Sequence, residues 1–286
     1  MKKRRRNLLP VKEFRGQGLR WEWREGVVEL TLDHEPLNEI GTLLLGELEQ
    51  FAAAIDSLAP ITSACIITSA RPGGFSVGGD LKELYNNALH LSPKRRVSGL
   101  RKFIERIHKV ANAIDAAPFI TVAAVHGLCM GGGLELALLC DLIVADKMAR
   151  FGFPELRLGF IPGFGGIPRL RRDVGNSFIR DLLFTGRTAK AEAAHQAGLI
   201  THLAGEGHAL QIARSMAQQI TKFDPEARVA AKSFIKPIPY KELRQEIVLF
   251  CKLFNRPEVM ECLRRFVESD DPMKHLPIAA KSESSD

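Results

Sequence analysis

The sequence has no Cys-x-x-Cys pair, no His-x-x-x-His pattern and no Gly-x-x-x-x-Gly-Lys-Ser/Thr loop. Nowhere does an apolar run approach the roughly 18 residues a membrane-spanning helix needs. These absences remove the common zinc signatures, the phosphate-cradling P-loop and a transmembrane segment. The eight histidines are dispersed, so no metal site is expected. The five cysteines, at 65, 129, 140, 251 and 262, are odd in number and sit mostly among apolar neighbours. They read as buried free thiols in a reducing compartment. Residues 1–24 contain neither Ser nor Thr, against the composition of a transit peptide, and no long apolar run follows the basic opening. The expected location is the cytoplasm, or the mitochondrial matrix in a eukaryote.

Charge of one sign is also missing from most of the chain. The formal net charge is +7, but residues 1–24 carry nine of the 40 Lys and Arg and two of the 33 acids. The remaining 31 basic and 31 acidic residues cancel. A nucleic-acid partner wants a basic patch on the folded body, so none is expected. The stripe Arg101, Lys102, Arg106 and Lys109 on a basic amphipathic segment, Leu100 to Ile114, reads as a solvated face.

What the chain does have is one three-glycine run, Gly131 to Gly133. The β-branched and apolar stretch Phe119 to Val125 before it reads as a buried strand, and Leu134 to Cys140 after it as helix. Backbone N–H groups at a helix start lack intrahelical partners and favour negative charge, and glycine lets a ligand approach them. The run therefore suits an anion, or an oxygen that becomes anionic in a reaction. Equally, it suits close packing of helix on strand. Glu135 is the only charged residue between His126 and Asp141. In those apolar surroundings its pKa should rise, as acid–base work requires.

Along the chain, Val27 to Leu32 alternates as a strand, Thr42 to Leu58 has helical spacing, and Ile61 to Thr68 is a β-branched strand. A second glycine turn, Gly78-Gly79-Asp80, leads into a helix, and residues 86–99 read as a polar loop. Strand–helix alternation continues to Lys222, and from Pro225 the pattern is helical. The predicted organisation is a basic disordered arm (1–20), an α/β core (21–205), a C-terminal helical region (206–276) and a polar disordered tail (277–286).

Three segments occur in order: Phe75-Ser-Val-Gly-Gly-Asp-Leu-Lys-Glu-Leu, the block from Val122 to Asp141, and Phe151-Gly-Phe-Pro-Glu-Leu-Arg-Leu-Gly-Phe-Ile-Pro-Gly-Phe-Gly-Gly. Together they resemble the enoyl-CoA hydratase/isomerase (crotonase) superfamily, from about Trp21 to about His275. Pro36-Leu-Asn, Thr185-Gly-Arg and Gly198-Leu-Ile belong to the same resemblance. It implies an α/β spiral of repeated β-β-α units with a C-terminal helical trimerisation region, as a homotrimer or dimer of trimers. It also implies an acyl-CoA thioester substrate, with coenzyme A part of that substrate and no separate cofactor.

The resemblance further implies that the N–H groups of Gly79 and Gly132 form an oxyanion hole, with Glu135 orienting a water and Glu155 donating a proton at Cα. Leu37, Asn38, Asp80, Leu81 and Lys82 would run along the coenzyme, Gly163 would lie beside the site, and Phe266 would reach a neighbouring subunit's coenzyme. The expected reaction is hydration of a trans-2-enoyl-CoA. The alternatives are double-bond isomerisation or another acyl-thioester enolate reaction and, further off, an RNA-binding or non-catalytic homologue. Some positions depart from the family. Gly73 stands where a basic residue is common, and Glu268-Ser269-Asp270 replaces a basic pattern. Phe153, Phe160 and Phe164 crowd the second glutamate and read either as core or as walls of a narrowed acyl pocket. Lys94, Arg95 and Arg96 read as a solvated loop or as replacement phosphate contacts.

Overall fold

The computed structural model describes residues 10–269. The chain opens with an antiparallel meander, β1 (Glu13–Arg15), β2 (Leu19–Arg24) and β3 (Val27–Leu32), followed by α1 (Thr42–Leu58). Three strand pairs come next, each leading into a helix. β4 (Ala64–Ser69) and β5 (Gly74–Ser76) precede α2 (Leu81–Leu89) and α3 (Pro93–Asp115). β6 (Ile120–Val125) and β7 (Leu128–Met130) precede α4 (Gly132–Ala137). β8 (Leu142–Asp146) and β9 (Arg150–Gly152) lead through a 3-10 turn, Glu155–Leu158, to α5 (Gly166–Val174) and α6 (Asn176–Thr185). Then follow β10 (Ala189–Lys190), α7 (Ala191–Gln196), β11 (His202–Ala204) and α8 (Ala209–Ile220). The chain continues with α9 (Pro225–Ile235), α10 (Tyr240–Phe254) and α11 (Pro257–Glu268).

The first strand of each pair joins a seven-stranded sheet, β1-β2-β3-β4-β6-β8-β11, and the second joins a four-stranded sheet, β10-β9-β7-β5. This is the predicted spiral of β-β-α units. Strands β4, β6 and β8 pair in parallel and are apolar on both faces, as parallel strands covered on both sides must be. Cys65, Ile67, Ala123 and Val125 face the main core. Ile66, Val122 and Ala124 face α8, which meets them with Ala209, Ala213 and Ala217. Four-residue spacing puts these small side chains on one helical stripe, so α8 lies close on the sheet. A third cluster joins α2, α3, α10 and α11 through Tyr85, Ile104, Phe250, Phe254 and Leu263. All five cysteines are free, and only Cys262 is not fully buried.

Three expectations change. The arm expected over 1–20 does not hold from Glu13 onward, because Glu13–Arg15 and Leu19–Arg24 pair as strands at the sheet edge. Trp21, 3 % exposed, stacks on Phe14 and meets Phe51 edge-on, so this hairpin is anchored in the core despite its charge. Residues 86–99 are mostly helical: Pro93, whose missing N–H costs nothing in a first turn, starts α3 well before Leu100. Helix α4 ends at Ala137, earlier than expected, and the Leu139 and Cys140 carbonyls accept from Lys236 Nζ at 2.7 and 2.9 Å. The arm's first nine residues and the predicted tail lie outside the described residues.

Candidate active site

Two glycine turns meet backbone to backbone. After β5 the chain bridges to Ile40: Ile40 N–H donates to Gly78 O at 2.7 Å and Asp80 N–H donates to Ile40 O at 3.3 Å. That pattern uses the amides on either side of Gly79 and turns its own N–H away. Gly132 opens α4, where an N–H has no intrahelical acceptor. Among the described residues neither N–H meets an acceptor. Gly78 has φ +96°, and a Cβ there would lie 2.6 Å from Gly132 N. A Cβ on Gly133 would lie 2.2 Å from Ser76 O. The triplet thus does two jobs: Gly133 lets α4 pack on β5, and Gly132 leaves a donor open.

Two carboxyls stand beside these donors. Glu135, in the first turn of α4, is 2 % exposed, and its Oε1 accepts from Phe164 N–H at 2.8 Å and Gly166 N–H at 2.7 Å. Burial pushes its pKa up to about 7 against the pull of those amides. Glu155 opens the 3-10 turn after β9. Its Oε2 is buried without a partner, and its Oε1 would sit 2.5 Å from a Cβ on Gly131. Burial first, and then the charge of Glu135, raise its pKa well above the carboxylate range. Glu135 and Gly132 share α4, Glu155 comes from the 3-10 turn after β9 and Gly79 from the turn after β5, so the fold brings three separate segments together.

Two neighbours escaped the sequence reading. Glu246 on α10 is buried; its Oε1 accepts from Gly165 N–H at 2.7 Å, while its Oε2 has no partner. Burial and then the Glu135 charge raise its pKa. His108 on α3 lies 3.8 Å from Glu246 and donates from Nε2 to Gly163 O at 2.9 Å. Burial lowers its pKa to about 4, so the ring is neutral near pH 7. Segment 163–166 is therefore gripped by side chains from three helices. The available signal was an acid or imidazole at the apolar stripe of an amphipathic helix: Glu246 between Leu243, Ile247 and Phe250, and His108 between Ile104, Ile107 and Ala111.

Residues 22–274 match the family model described as enoyl-CoA hydratase/isomerase. The chain belongs to the enoyl-CoA hydratase/isomerase family. It is 35 % identical over 255 residues to the probable enoyl-CoA hydratase 2, mitochondrial, of Arabidopsis thaliana, covering 87 % of this chain and 81 % of that one. A probable enoyl-CoA hydratase of Rhizobium meliloti is 34 % identical over 249 residues, covering 85 % and 91 %. The crystal structure of enoyl-CoA hydratase from Bacillus halodurans superposes with a TM-score of 0.77 at 25 % identity, covering 87 % of this chain and 99 % of that one.

In this member of the enoyl-CoA hydratase/isomerase family Phe164 packs against the Cα side of both glycines that carry the open donors. Its ring carbons lie 3.5 Å from a Cβ built on Gly79 and 2.6 Å from one on Gly132. On one side is a cavity of about 280 Å³ lined by Gly79, Asp80, Phe103, Phe250 and Phe254. On the other is a space of about 20 Å³ bounded by Gly132, Glu135, Leu136 and Ile107, large enough for one water molecule. Phe164 and Ile40 line both. Of the crowding aromatics, Phe153 and Phe160 are core, at 0 % and 4 % exposed, and Phe164 is the wall.

The remaining expected residues spread around this centre. Asp80 caps α2, its Oδ1 accepting from Glu83 N–H at 2.9 Å. Leu81 is half-buried and Lys82 exposed on the first turn of α2. Asn38 is wholly buried and structural. Its side chain takes His34 N–H and gives to Ser69 Oγ and Phe75 O, all at 2.8 Å, and its own N–H and carbonyl are used by His34 and Ser76. Leu37 is half-buried, with its tip 2.4 Å from a Cβ built on Gly73. Gly163 packs its Cα face on Phe250 and lines neither space itself. Phe266 is half-buried in the helical cluster of α11. In the acidic departure, Glu268 pairs with Arg264. Among the described residues no group of His, Cys, Asp or Glu could hold a metal ion.

Proposed function

We propose that this chain is an enoyl-CoA hydratase, adding water across the double bond of a trans-2-enoyl-CoA to give a 3-hydroxyacyl-CoA. The observation that carries the reading is the pair of open N–H donors, Gly79 and Gly132, beside two buried carboxyls, of which Glu135 accepts from two backbone N–H groups and Glu155 has an oxygen without a partner. The thioester oxygen accepts from both N–H groups. Glu135, whose ionised form is favoured by the two N–H donors on its Oε1, takes a proton from a water in the space beside it while the water oxygen bonds to Cβ. The double-bond electrons move onto the thioester oxygen, where the two fixed N–H dipoles stabilise the enolate without reorganising. The enolate collapses by taking the proton of Glu155 at Cα. One proton transfer from Glu135 to Glu155 resets the site. Two neighbouring acids with separated pKa values are what such a division of labour needs.

Along the coenzyme, Leu37, Asp80, Leu81 and Lys82 line the approach, and Asn38 holds that segment in shape. Gly163 and Phe266 act from the helical side, Phe266 across a subunit boundary in a homotrimer. The test is hydration of trans-2-enoyl-CoAs, followed by loss of the conjugated thioester absorbance. Glu135→Gln and Glu155→Gln should each lower kcat by about 10²–10⁴-fold, the usual worth of general acid–base catalysis, with thioester binding retained. Migration of the double bond in place of hydration would sink the hydratase reading and leave the isomerase. Catalysis should need Glu135 ionised and Glu155 protonated. Activity is then expected to fall below pH about 7, the value burial gives Glu135, and again at high pH as Glu155 ionises. A rate independent of pH across that range would contradict these roles.

A further inference from the structure

The larger cavity carries more charge than a plain hydrocarbon chain calls for. Its floor is apolar: Ala88, Leu100, Ile104, Phe250 and Phe254. Its acids are already engaged, Asp80 by Glu83 N–H and Glu83 by the Thr42 N–H and hydroxyl. Its Arg106 is also engaged, chelating Glu49 through Nε and Nη2 at 2.8 Å each. Two cations remain, Arg96 and Lys102, both on α3 and both lining the cavity. Among the described residues neither has an acid partner. Arg96 Nε is buried without an acceptor, and its Nη2 makes only a 3.4 Å contact with Leu91 O. Between them Gly99 offers no side chain, and nothing lies within 4 Å of where its Cβ would be. A guanidinium and an ammonium without acid partners at the wall of a cavity suit a carboxylate, which takes charge-assisted hydrogen bonds from both.

We propose that the acyl chain held in this cavity ends in a carboxylate, bound by Arg96 and Lys102 while the thioester carbonyl lies on Gly79 N–H and Gly132 N–H. This deepens the acyl-thioester reading above and rests on it. The apolar floor suits the methylene body of such a chain, and the exposed Lys102 and half-buried Arg96 let its end stay partly hydrated. A coenzyme phosphate is the rival anion. Its higher charge sits less well beside Asp80 and Glu83, which line the same space.

The experiment pairs trans-2-enoyl-CoAs of equal length, one ending in methyl and one in carboxylate, on the full chain and on the double variant Arg96→Met/Lys102→Met. The expected result is a preference for the carboxylate-ended partner of about 10-fold or more, as for one or two charged hydrogen bonds. The double variant should lose that preference, and salt should erode it. The same ratio is read from calorimetric binding of both thioesters, so absent hydration counts against the reaction assigned above and leaves this inference testable. Equal affinity for the two ends in the wild type would overturn it. So would an equal loss for both thioesters and for free coenzyme A in the variant, since the cations would then hold phosphates.

Discussion

Glu135 contributes to stability as well as to the site. Its folded pKa, about 7, lies above the ordinary 4.5, so the folded state holds this proton more tightly than the unfolded chain does. Its contribution is complete below pH 4.5 and is lost as pH rises through about 7. Gln carries no such charge, and its carbonyl can still accept from Phe164 and Gly166. Glu135→Gln should therefore gain stability over wild type between pH 5 and pH 8, by at most about 1.4 kcal/mol per pH unit. Urea midpoints at the two pH values check this; a constant difference would contradict it. At Phe164 the prediction concerns shape. Phe164→Ala should join the two spaces that the ring divides and raise the kcat/KM ratio for longer over shorter acyl chains, by about 10-fold for a pocket gaining a few methylenes' worth of room. An unchanged ratio across a chain-length panel would show that the ring is no wall. Glu135 and the open amide of Gly132 were legible from sequence, because a lone charge and a glycine run interrupt an apolar pattern. Glu246 and His108 were not: their meaning depends on a segment more than 50 residues away in each case.

Helices α3, α5 and α9 are tied by one buried acid. Asp115, at the end of α3, accepts from Arg169 Nε at 2.7 Å and Arg172 Nη1 at 3.1 Å, and meets Lys236, just after α9, at 3.0 Å. Burial alone would raise the Asp115 pKa, but Lys236, Arg169 and Arg172 together hold it below the usual carboxylate value. Arg169 is 0 % exposed. Asp115→Ala leaves that guanidinium buried and short of its partner, which should cost about 3–5 kcal/mol, read as a fall in the urea midpoint. A loss under about 1 kcal/mol would mean water reaches the cluster, as at exposed ion pairs. Helix α1 and strand β3 were read to the residue, since their periodicity is clean. Strands β1 and β2 were missed because their charge read as an arm. Strand pairing is a long-range property, and here Trp21 supplies the anchor.

At the scale of the molecule, the family pattern made the spiral predictable, since each glycine turn falls where a strand of the small sheet hands over to a helix. What the chain alone could not state is how its surface is covered. Phe234 and Ile235 at the end of α9 are 87 % and 75 % exposed, and Val248 and Leu249 on α10 are 55 % and 46 %. Such apolar exposure suits a subunit interface. The homotrimer proposed above predicts that Phe234→Asp with Ile235→Ser lowers the mass seen by light scattering to that of a monomer. Wild type at monomer mass would refute the trimer outright.

The buried thiols give an experimenter a ready handle. Cys65, Cys129 and Cys140 are sealed in the core, where burial pushes their pKa values up, that of Cys140 to about 12, and Cys251 is 2 % exposed. Thiolate, the form that reacts with maleimides and aryl disulfides, is therefore scarce and unreachable at four of the five. The native chain should take one equivalent of such a reagent quickly, at Cys262, and the other four only on denaturation. A dye placed there sits on α11, in the cluster whose Phe250 and Phe254 line the larger cavity. It would report on that helix in a chain whose sequence has not been altered.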